Sequence, residues 1–383
     1  VAESVVLLHP VENIGATLIK QAARNTVREA GDGTTTSTVL ANSLLKITNK
    51  HLDEEKIREL KAGIISGANK VKVYLDKTST PVKGQMLQNV AIISCNNDKE
   101  LGTKIGEAYE QVGKNGVVLM EQSDTNETYV DFVEGVQFDS GLKSTHLIPG
   151  FGLTKQDTMD DLALLTGATI INEELGDDLD LISPDVLGSA KKAVTDEKTT
   201  ILQIDEEIDV TERVAEVTKS IEDESNPFFK KKLEQRLSML TGKVGIIYVG
   251  ADSEVELKEK KDRVEDAIHA TKAAYKEGIV AGGGVALLNA ATSLKASNKG
   301  EEILFEAIKS PYYTILDNAG IVEIKKQTIK NRGIDVRTGK EVNMIKAGII
   351  DPTLVTKSAL KNAVSVVTTI VSADCVISNK RLM

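Results

Sequence analysis

The stretch Gly31-Asp32-Gly33-Thr34-Thr35-Thr36 separates two segments whose apolar residues repeat at helical spacing, residues 14–22 before it and 40–47 after it. Gly31 stands where a glycine commonly ends a helix. The three threonines then fall in the first turn of the next helix, where backbone N–H groups lack intrahelical acceptors and the helix dipole is positive. Two glycines let a ligand approach the backbone closely. The stretch is therefore suited to binding phosphate oxygens.

Asp32 adds a constraint to that interpretation. A carboxylate beside a polyphosphate is repelled unless a cation lies between them, so phosphate binding here predicts Mg²⁺. The alternative is a helix–glycine–helix turn in which Asp32 and the threonines serve only as caps. The hexapeptide alone leaves both interpretations open.

The composition is that of a globular chain with two or three domains, because 383 residues exceed what one simple core serves. A net charge of −10 argues against nucleic acid as a partner. No apolar run predicts a membrane-spanning segment. Cys95 and Cys375 form no CxxC pair and the histidines are scattered, so neither a zinc site nor a disulfide framework is predicted. We expect both cysteines to be buried small apolar residues in a reducing compartment, the cytoplasm or an equivalent one.

Helical spacing continues from residue 13 to about 77, and a break follows at Thr78-Ser79-Thr80-Pro81. Beyond it, the patterns predict helices near 84–94, 98–112, 227–240 and 254–277, strands near 117–120, 129–138, 199–204 and 244–249, and a turn at Asn115-Gly116. The C-terminal part is predicted to be mostly helical and to end with a strand-like segment, 375–378.

Three further patterns are candidates for a site, and each has a structural alternative. Gly282-Gly283-Gly284 would let a nucleotide lie on the backbone, or would simply form a tight turn between helices. Asp266 shares a helix face with small residues, so it either orients a water for attack on a γ-phosphate or is an ordinary solvated acid. Asp351-Pro352-Thr353 opens a helix, and N-capping by Asp351 explains it without a ligand. The chain has no GxxxxGK[ST], GxGxxG or GxSxG pattern.

Several stretches, taken together and in order, resemble the group I chaperonins, the GroEL-type family, and the chain is identified as a divergent member. These stretches are AGDGTTTSTVLA (30–41), VGKNGVV (112–118), VEGVQFDSG (133–141), PGFG (149–152), LTGATIINEELG (165–176), EVELKEKKDRVEDAIHATKAAYKEGIVAGGGVALL (254–288) and AGIIDPTLVTKSAL (347–360). The resemblance covers nearly the whole chain, and residues 254–288 are its most specific part.

The resemblance implies a multi-domain chaperonin fold with an all-α equatorial domain, a small α+β intermediate domain and an α/β apical domain. By similarity, the equatorial ATP-binding domain takes residues 1–77 and 277–383, the intermediate hinge domain 78–133 and 245–276, and the apical substrate and co-chaperonin domain 134–244. Gly135 resembles an apical hinge, and Pro81 and Gly278 resemble the lower hinge.

A nucleotide site is implied by the same resemblance. Its binding residues would be Asp32, Gly33, Thr34, Thr35, Thr36, Gly283, Asp335, Val336, Arg337 and Asp351. Asp32 would hold Mg²⁺, residues 33–36 would bind the phosphate chain, Gly283 would lie against the nucleoside, and Asp351 would accept from the ribose. Residues 335–337 match the family's base-contacting loop, although their side chains differ from its commonest form.

The implied catalytic residues are Asp266 and Asp32. Asp266 would orient the attacking water once the intermediate domain closes, so that conformation times hydrolysis. ATP and Mg²⁺ are the implied cofactors, and K⁺ is a further candidate.

The sequence departs from the family pattern at several points. It begins after the family's first equatorial segment, which carries a phosphate-binding Gly-Pro loop and a second catalytic aspartate. A long apical stretch with the two groove helices is absent between Ile148 and Pro149, and the second apical hinge, usually a glycine pair, reads Gly242-Lys243. The Gly-Met-rich tail is also absent. We interpret these as segments outside the present chain rather than as losses from a miniature chaperonin.

The implied function is ATP-dependent folding of non-native client proteins inside a ring-shaped chamber. The ring would be a homo-oligomer with seven-membered rings, a lid co-chaperonin is a candidate partner, and no nucleic acid or membrane partner is expected. A second hypothesis is an ATPase-deficient chaperonin-like scaffold, which the missing catalytic pieces favour and the intact Asp32 and Asp266 argue against. A third, an unrelated soluble ATP-binding enzyme, has no substrate-site residues left to support it.

Overall fold

A computed structural model gives the structure of residues 4–52, 55–113, 117–138, 153–171, 183–195, 200–204, 210–224, 243–321 and 330–377, and of the single residues 226, 229, 233, 236, 237 and 240. The helices within these residues are α1 (Pro10–Ala30), α2 (Thr34–Asn49), α3 (Ile57–Thr78), α4 (Gln85–Ser94), α5 (Lys99–Val112), α6 (Leu153–Thr166), α7 (Thr211–Asp223), α8 (Glu254–Glu277), α9 (Val285–Ser293), α10 (Lys299–Ala307), α11 (Ser310–Asn318) and α12 (Thr353–Val371). The strands are β1 (Val117–Gln122), β2 (Tyr129–Phe138), β3 (Lys192–Thr195), β4 (Thr200–Gln203), β5 (Lys243–Val249), β6 (Ile279–Ala281), β7 (Arg332–Asp335), β8 (Lys340–Asn343) and β9 (Ile350–Pro352).

The chain forms two compact units. Unit 1 contains Val1–Gly106 and Asp262–Met383, and unit 2 contains Glu107–Lys261. The boundaries of these units fall inside α5 and α8. Unit 1 is mostly helical and adds two short two-stranded sheets, β6–β9 and β7–β8. The finer division into equatorial, intermediate and apical domains stays a prediction.

The core of unit 1 is built mainly from aliphatic side chains of α2, α3, α9, α10 and α12. Helix α12 is central, because it packs on α1, α2 and α3. It is the one helix within the described residues that is long and apolar enough to span a membrane, and 61% of its qualifying window is buried inside the protein. Core helices of this kind satisfy the same criteria of length and composition. The expectation that no apolar run reaches that length therefore needs this correction.

Helices α3 and α10 approach each other closely because glycines line their contact. A Cβ on Gly63 would lie 2.2 Å from Asn298 Oδ1, and one on Gly300 would lie 2.4 Å from the Leu60 carbonyl oxygen. Asn298 caps α10 by accepting from the Glu301 N–H at 2.9 Å. The buried Glu301 carboxylate in turn binds Lys70 Nζ at 2.6 Å. Steric fit and one ion pair therefore fix the position of α10.

Unit 2 is organised around a five-stranded sheet in the order β1-β5-β2-β4-β3. Strands β1 and β5 are parallel, and the other pairs are antiparallel. Strand β2 pairs with β5 up to Glu134 and with β4 from Gly135 onward. A Cβ on Gly135 would lie 2.7 Å from both the Leu202 carbonyl oxygen and Val244 Cγ2. Glycine at this position is thus required by close packing where β2 changes partner.

A buried ion network joins three segments of unit 2. Asp161 on α6 is fully buried. Its Oδ1 accepts from Arg213 Nε at 3.0 Å and from Arg236 Nη2 at 2.9 Å, and its Oδ2 accepts from Arg236 Nε. Arg213 also binds Glu216 at 2.8 Å. Two guanidinium groups therefore satisfy one buried carboxylate, as burial of a charge requires.

Most of the predicted elements are confirmed, including the helices near 84–94, 98–112 and 254–277 and the four predicted strands. The strand-like interpretation of 375–378 is wrong for the described residues 375–377, which are irregular. Cys95 is buried as expected, and burial raises the pKa of its thiol to about 12. Cys375 is exposed, which contradicts the expectation.

Several predictions concern segments outside the described residues. They are the turn at 115–116, the PGFG motif at 149–152, the join at 148–149 and the glycine of the 242–243 hinge. Of the predicted helix 227–240, only five single residues are described.

The glycine contact between α3 and α10 yields a stability prediction. Gly63→Ala should lower the free energy of unfolding by about 1–3 kcal/mol, because the methyl group has no space beside Asn298 and Gly300. Gly15→Ala on α1 is the matched control, since nothing lies within 4 Å of its Cβ position. This control should raise stability by about 0.5–1 kcal/mol. Urea unfolding followed by circular dichroism measures both, and equal effects of the two variants would contradict the packing argument.

The Asp161 ion network yields a second stability prediction. Asp161→Asn should destabilise unit 2 by about 3 kcal/mol, because two buried or half-buried guanidinium groups lose their shared charge partner. Asp160→Asn is the control, because Asp160 is 42% exposed and lies 3.8 Å from Arg213. It should change stability by less than about 0.5 kcal/mol. Hydrogen exchange of the unit 2 amides reports both effects, and a neutral Asp161→Asn would show that the network adds no stability.

Candidate functional site

The turn between α1 and α2 has the conformation that its two glycines predict. Gly31 ends α1 with φ 74°, and its N–H donates to the Val27 carbonyl at 2.6 Å. Gly33 has φ 92° and is the N-cap of α2, with no side-chain cap. Both angles lie in the left-handed region that favours glycine. The predicted helix–glycine–helix geometry is therefore confirmed.

The first turn of α2 presents backbone donors. The first hydrogen bond of the helix runs from the Ser37 N–H to the Gly33 carbonyl at 3.0 Å. The N–H groups of Thr34, Thr35 and Thr36 precede it and so have no intrahelical acceptor. The hydroxyls of Ser37 and Thr38 donate back to the Thr34 carbonyl, both at 2.9 Å. The helix start is thus braced internally while three amides and the positive dipole end point out of the helix.

Three carboxyl groups come together beside this helix start. The charge of Asp32 raises the pKa values of both Asp266 and Asp351. Partial desolvation is the larger cause for Asp266, whose pKa is raised to about 6 although the residue is exposed by area. Burial is the larger cause for Asp351, whose pKa is raised to about 7. Asp32 itself accepts from the Gly33 N–H through Oδ1. The structure therefore brings together three of the predicted site residues from distant parts of the chain.

The position of Asp351 corrects one interpretation. The sequence favoured Asp351 as the N-cap of α12, but the N-cap is Pro352 and carries no side-chain cap. Asp351 lies in β9, where it pairs with Val280 of β6. Pairing of β9 with β6 moves the helix start to Thr353, whose N–H donates to the Gly278 carbonyl at 3.0 Å. The Asp351 carboxylate is therefore not used as a helix cap.

In the glycine triplet after β6, two glycines are required by close packing and one has space beside it. A Cβ on Gly282 would lie 2.9 Å from the Ile350 N, and one on Gly284 would lie 2.5 Å from the Tyr312 N. Those two glycines are required by the approach of other backbone. Gly283 has φ 63°, and its Cβ position faces only the flexible end of Met344 at 3.0 Å. Gly282 also donates to the Ile349 carbonyl at 3.0 Å, so the triplet lies beside the segment that leads to Asp351.

The predicted base-contacting loop is the turn of the β7–β8 hairpin. The Asp335 carboxylate accepts from the Arg337 N–H at 3.0 Å and from the Thr338 hydroxyl at 2.9 Å. Both oxygens of Asp335 thus stabilise the turn itself. Val336, at the tip of the hairpin, is 41% exposed. Gly333 in β7 approaches Val285, which directly follows the glycine triplet, so the hairpin packs beside that triplet.

Helix α8 brings Asp266 to the α1–α2 turn, and small side chains allow it to come close. Ala273 of α8 packs in one cluster with Ala30 at the end of α1 and Val355 of α12. His269, three residues after Asp266, lies against Gly31. Burial lowers the pKa of His269, while the charge of Glu265 acts in the opposite direction. The sequence interpretation missed His269, because a contact with a residue so distant in the chain leaves no local pattern.

The carboxylates at this site fit a magnesium ion that is bound by one or two protein side chains and mainly by the phosphate oxygens of a ligand. Within the described residues, no cluster of three or more His, Cys, Asp or Glu side chains could hold a metal ion alone. Mg²⁺ is commonly bound by one or two carboxylates together with phosphate oxygens. A nearby cation would offset the repulsion that Asp32 exerts on Asp266 and on Asp351.

Comparison with known proteins agrees with this fold. The TCP-1/cpn60 chaperonin family matches residues 1–151 and 142–381, in two segments that together span nearly the whole chain. The chaperonin gp146 of the bacteriophage EL 2 (Pseudomonas aeruginosa), crystallised in the presence of ATP-BeFx, gives a TM-score of 0.76 in crystal form II at 17% identity, over 100% of this chain and 90% of that chain.

Two other solved structures are similar. Crystal form I of the same phage chaperonin, also in the presence of ATP-BeFx, gives a TM-score of 0.69 at 16% identity over 100% of this chain and 90% of that chain. A group III chaperonin in the open state gives 0.62 at 17% identity over 97% of this chain and 89% of that chain. At these sequence identities the structural similarity shows a shared fold, and the match to the family model shows which family the chain belongs to. The chain belongs to the TCP-1/cpn60 chaperonin family.

Proposed function

We propose that this chain is an ATP-driven protein-folding chaperonin. The observation that carries the proposal is the convergence of Asp32, Asp266 and Asp351 beside the uncapped start of α2. Backbone donors and a positive dipole suit a phosphate chain, and the carboxylates suit a bound cation, a ribose and a water. The similar phage chaperonin was crystallised in the presence of ATP-BeFx, which supports a nucleotide as the ligand of this fold.

Each part of the site has a role in this proposal. The amides and hydroxyls of Thr34, Thr35 and Thr36, with the Gly33 backbone, bind the phosphate chain. Asp32 holds Mg²⁺, which when bound supplies positive charge against the phosphates. Gly283, with its open Cβ position, lies against the nucleoside, and Asp351 accepts from the ribose hydroxyls.

The base-contacting role belongs to the hairpin turn. The Asp335 carboxylate is already used within the turn, so Val336 and Arg337 supply the contacts with the base. K⁺ is a further candidate ion for the phosphate region, by the same charge argument.

Asp266 is the water-orienting group in this proposal. Its pKa of about 6 leaves it mostly ionised at neutral pH, so its carboxylate accepts a hydrogen bond from the attacking water. The charge of Asp32 acts on Asp266 in this structure, so the two groups are within electrostatic reach. Asp32 assists through the cation that it holds, and the two residues together form the catalytic set.

The wider role follows from membership of the family. We propose that non-native proteins are the clients, that the chain assembles as a homo-oligomeric ring of seven subunits, and that a lid co-chaperonin closes it. Group I placement is supported by the sequence motifs of residues 30–41 and 254–288. The equatorial, intermediate and apical division, hinge-timed hydrolysis and a cytoplasmic location belong to the same proposal. An unrelated ATP-binding enzyme is excluded by the family match.

Substitution of Asp266 tests the catalytic role and separates an active chaperonin from a passive scaffold. Asp266→Ala should reduce ATP hydrolysis by about 100-fold or more, because the attacking water loses its oriented acceptor. Nucleotide affinity should stay within about twofold, since Asp266 acts on the water rather than on the bound nucleotide. Phosphate release and calorimetric titration of Mg·ATP measure the two quantities.

Asp262→Ala is the matched control, one turn earlier on α8 and exposed. It should leave hydrolysis close to that of the parent protein. An Asp266→Ala variant with parental turnover would refute the assigned role. A parent protein that binds nucleotide without releasing phosphate would instead identify the ATPase-deficient scaffold.

The crowded carboxylates also predict a pH dependence of stability. Asp266 and Asp351 hold protons in the folded chain that the unfolded chain has lost, so stability falls as pH rises from 3.8 to about 7. Asp32→Asn removes a shared source of repulsion. Without nucleotide, this variant should be more stable than the parent by about 1 kcal/mol at pH 8 and equal to it at pH 4.

Urea unfolding at the two pH values measures the effect. Glu59→Gln, which replaces an exposed acid paired with Lys56, is the control and should show no such difference. Asp32→Asn should also lose magnesium-dependent nucleotide binding. If this variant were no more stable at pH 8 than the parent, the electrostatic account of the site would be wrong.

A further inference from the structure

Helix α8 is in direct contact with the end of α1, at the residue before Asp32. A Cβ on Gly31 would lie 2.2 Å from the Cβ of His269, 2.4 Å from its Cγ and 2.8 Å from its Nδ1. These distances leave no space for any side chain at position 31. The base of the imidazole therefore lies directly over the Gly31 backbone.

The contact belongs to a longer seam between α8 and the α1–α2 turn. One turn after His269, Ala273 packs with Ala30 and Val355. On the solvent side, His269 Nε2 lies 3.9 Å from the Glu265 carboxylate one turn earlier. That distance is too long for a hydrogen bond, so the position of the imidazole relative to the turn is set by its packing against Gly31.

Gly31 passes any displacement on to the phosphate-binding turn. Its N–H is bonded to the Val27 carbonyl, and the next residue, Asp32, accepts from the Gly33 N–H. His269 and Asp266 are three positions apart and so lie on the same face of α8. A change at the His269–Gly31 contact would therefore change how far Asp266 stands from the start of α2.

We propose that His269 is a positioning residue whose imidazole sets the distance between Asp266 and the phosphate-binding turn by bearing on Gly31. The proposal rests on the proposed ATPase function. It assigns His269 no contact with the nucleotide and no proton transfer. Its effect should accordingly appear in the rate of hydrolysis rather than in nucleotide affinity, because small displacements of a catalytic group have large effects on rate.

The test compares variants of the intact protein in three measurements, which are Mg·ATP affinity, phosphate release and hydrogen exchange of the amides 31–37. His269→Ala removes Cγ and Nδ1 from the contact. It should reduce turnover by about tenfold, keep affinity within twofold and speed exchange of those amides. His269→Asn keeps a Cβ, a Cγ and a polar atom in the Nδ1 position, so it should restore most of the lost turnover and protection. Lys276→Ala, exposed two turns further along α8, is the control and should match the parent.

Two results would overturn the proposal. One is a His269→Ala variant with parental turnover and parental exchange. The other is a His269→Asn variant as impaired as His269→Ala, since the atoms that touch Gly31 would then not matter. A parent protein without ATP binding or turnover would refute the proposed function instead. The exchange measurement would still decide in that case whether His269 holds the turn.

Discussion

The close approach of α8 to the turn between α1 and α2 is the constraint on which the site depends. It requires a glycine at position 31, because a Cβ there would collide with His269 of α8, and the small side chains of Ala30 and Ala273 pack together at the same contact. The same approach places Asp266 within electrostatic reach of Asp32. The identity of a few small residues therefore decides whether two distant acids form one site or remain ordinary surface charges.

That approach has an energetic consequence. The charge of Asp32 disfavours ionisation of both Asp266 and Asp351, and burial raises the cost of charging these two groups further. A fold that keeps them together gives up stability at neutral pH for an arrangement that suits a cation and a phosphate chain. A ligand that binds the folded chain alone would return this stability in proportion to its concentration. Nucleotide binding and folding stability of unit 1 are thus expected to be linked through these three groups.

Local patterns predicted the elements around the site well and the long-range contacts poorly. The helices on either side of Gly31, the glycine that ends α1 and the threonines in the first turn of α2 followed from spacing and turn chemistry. The local pattern Asp-Pro-Thr predicts Asp351 as a helix cap, and this prediction is wrong because β9 pairs with β6 and takes Asp351 into a strand. The β7–β8 hairpin was missed because its strands have four residues each and little alternation.

Each candidate site residue, considered alone, can also be explained by a structural role, and only the combination of residues indicates a site. Gly282 and Gly284 satisfy the structural alternative fully, because neighbouring backbone approaches both, and only Gly283 has an open Cβ position. Asp266 on its own is a helix acid exposed by area. The distinction comes from the field of Asp32, which acts on Asp266 in α8 and on Asp351 in β9. A local sequence pattern cannot predict this electrostatic effect, because the effect depends on how closely α8, β9 and the α1–α2 turn approach one another in the fold. Resemblance to the family predicts that these elements lie close together. The contacts of Gly31, Ala273 and Val280 are the physical reason that they do.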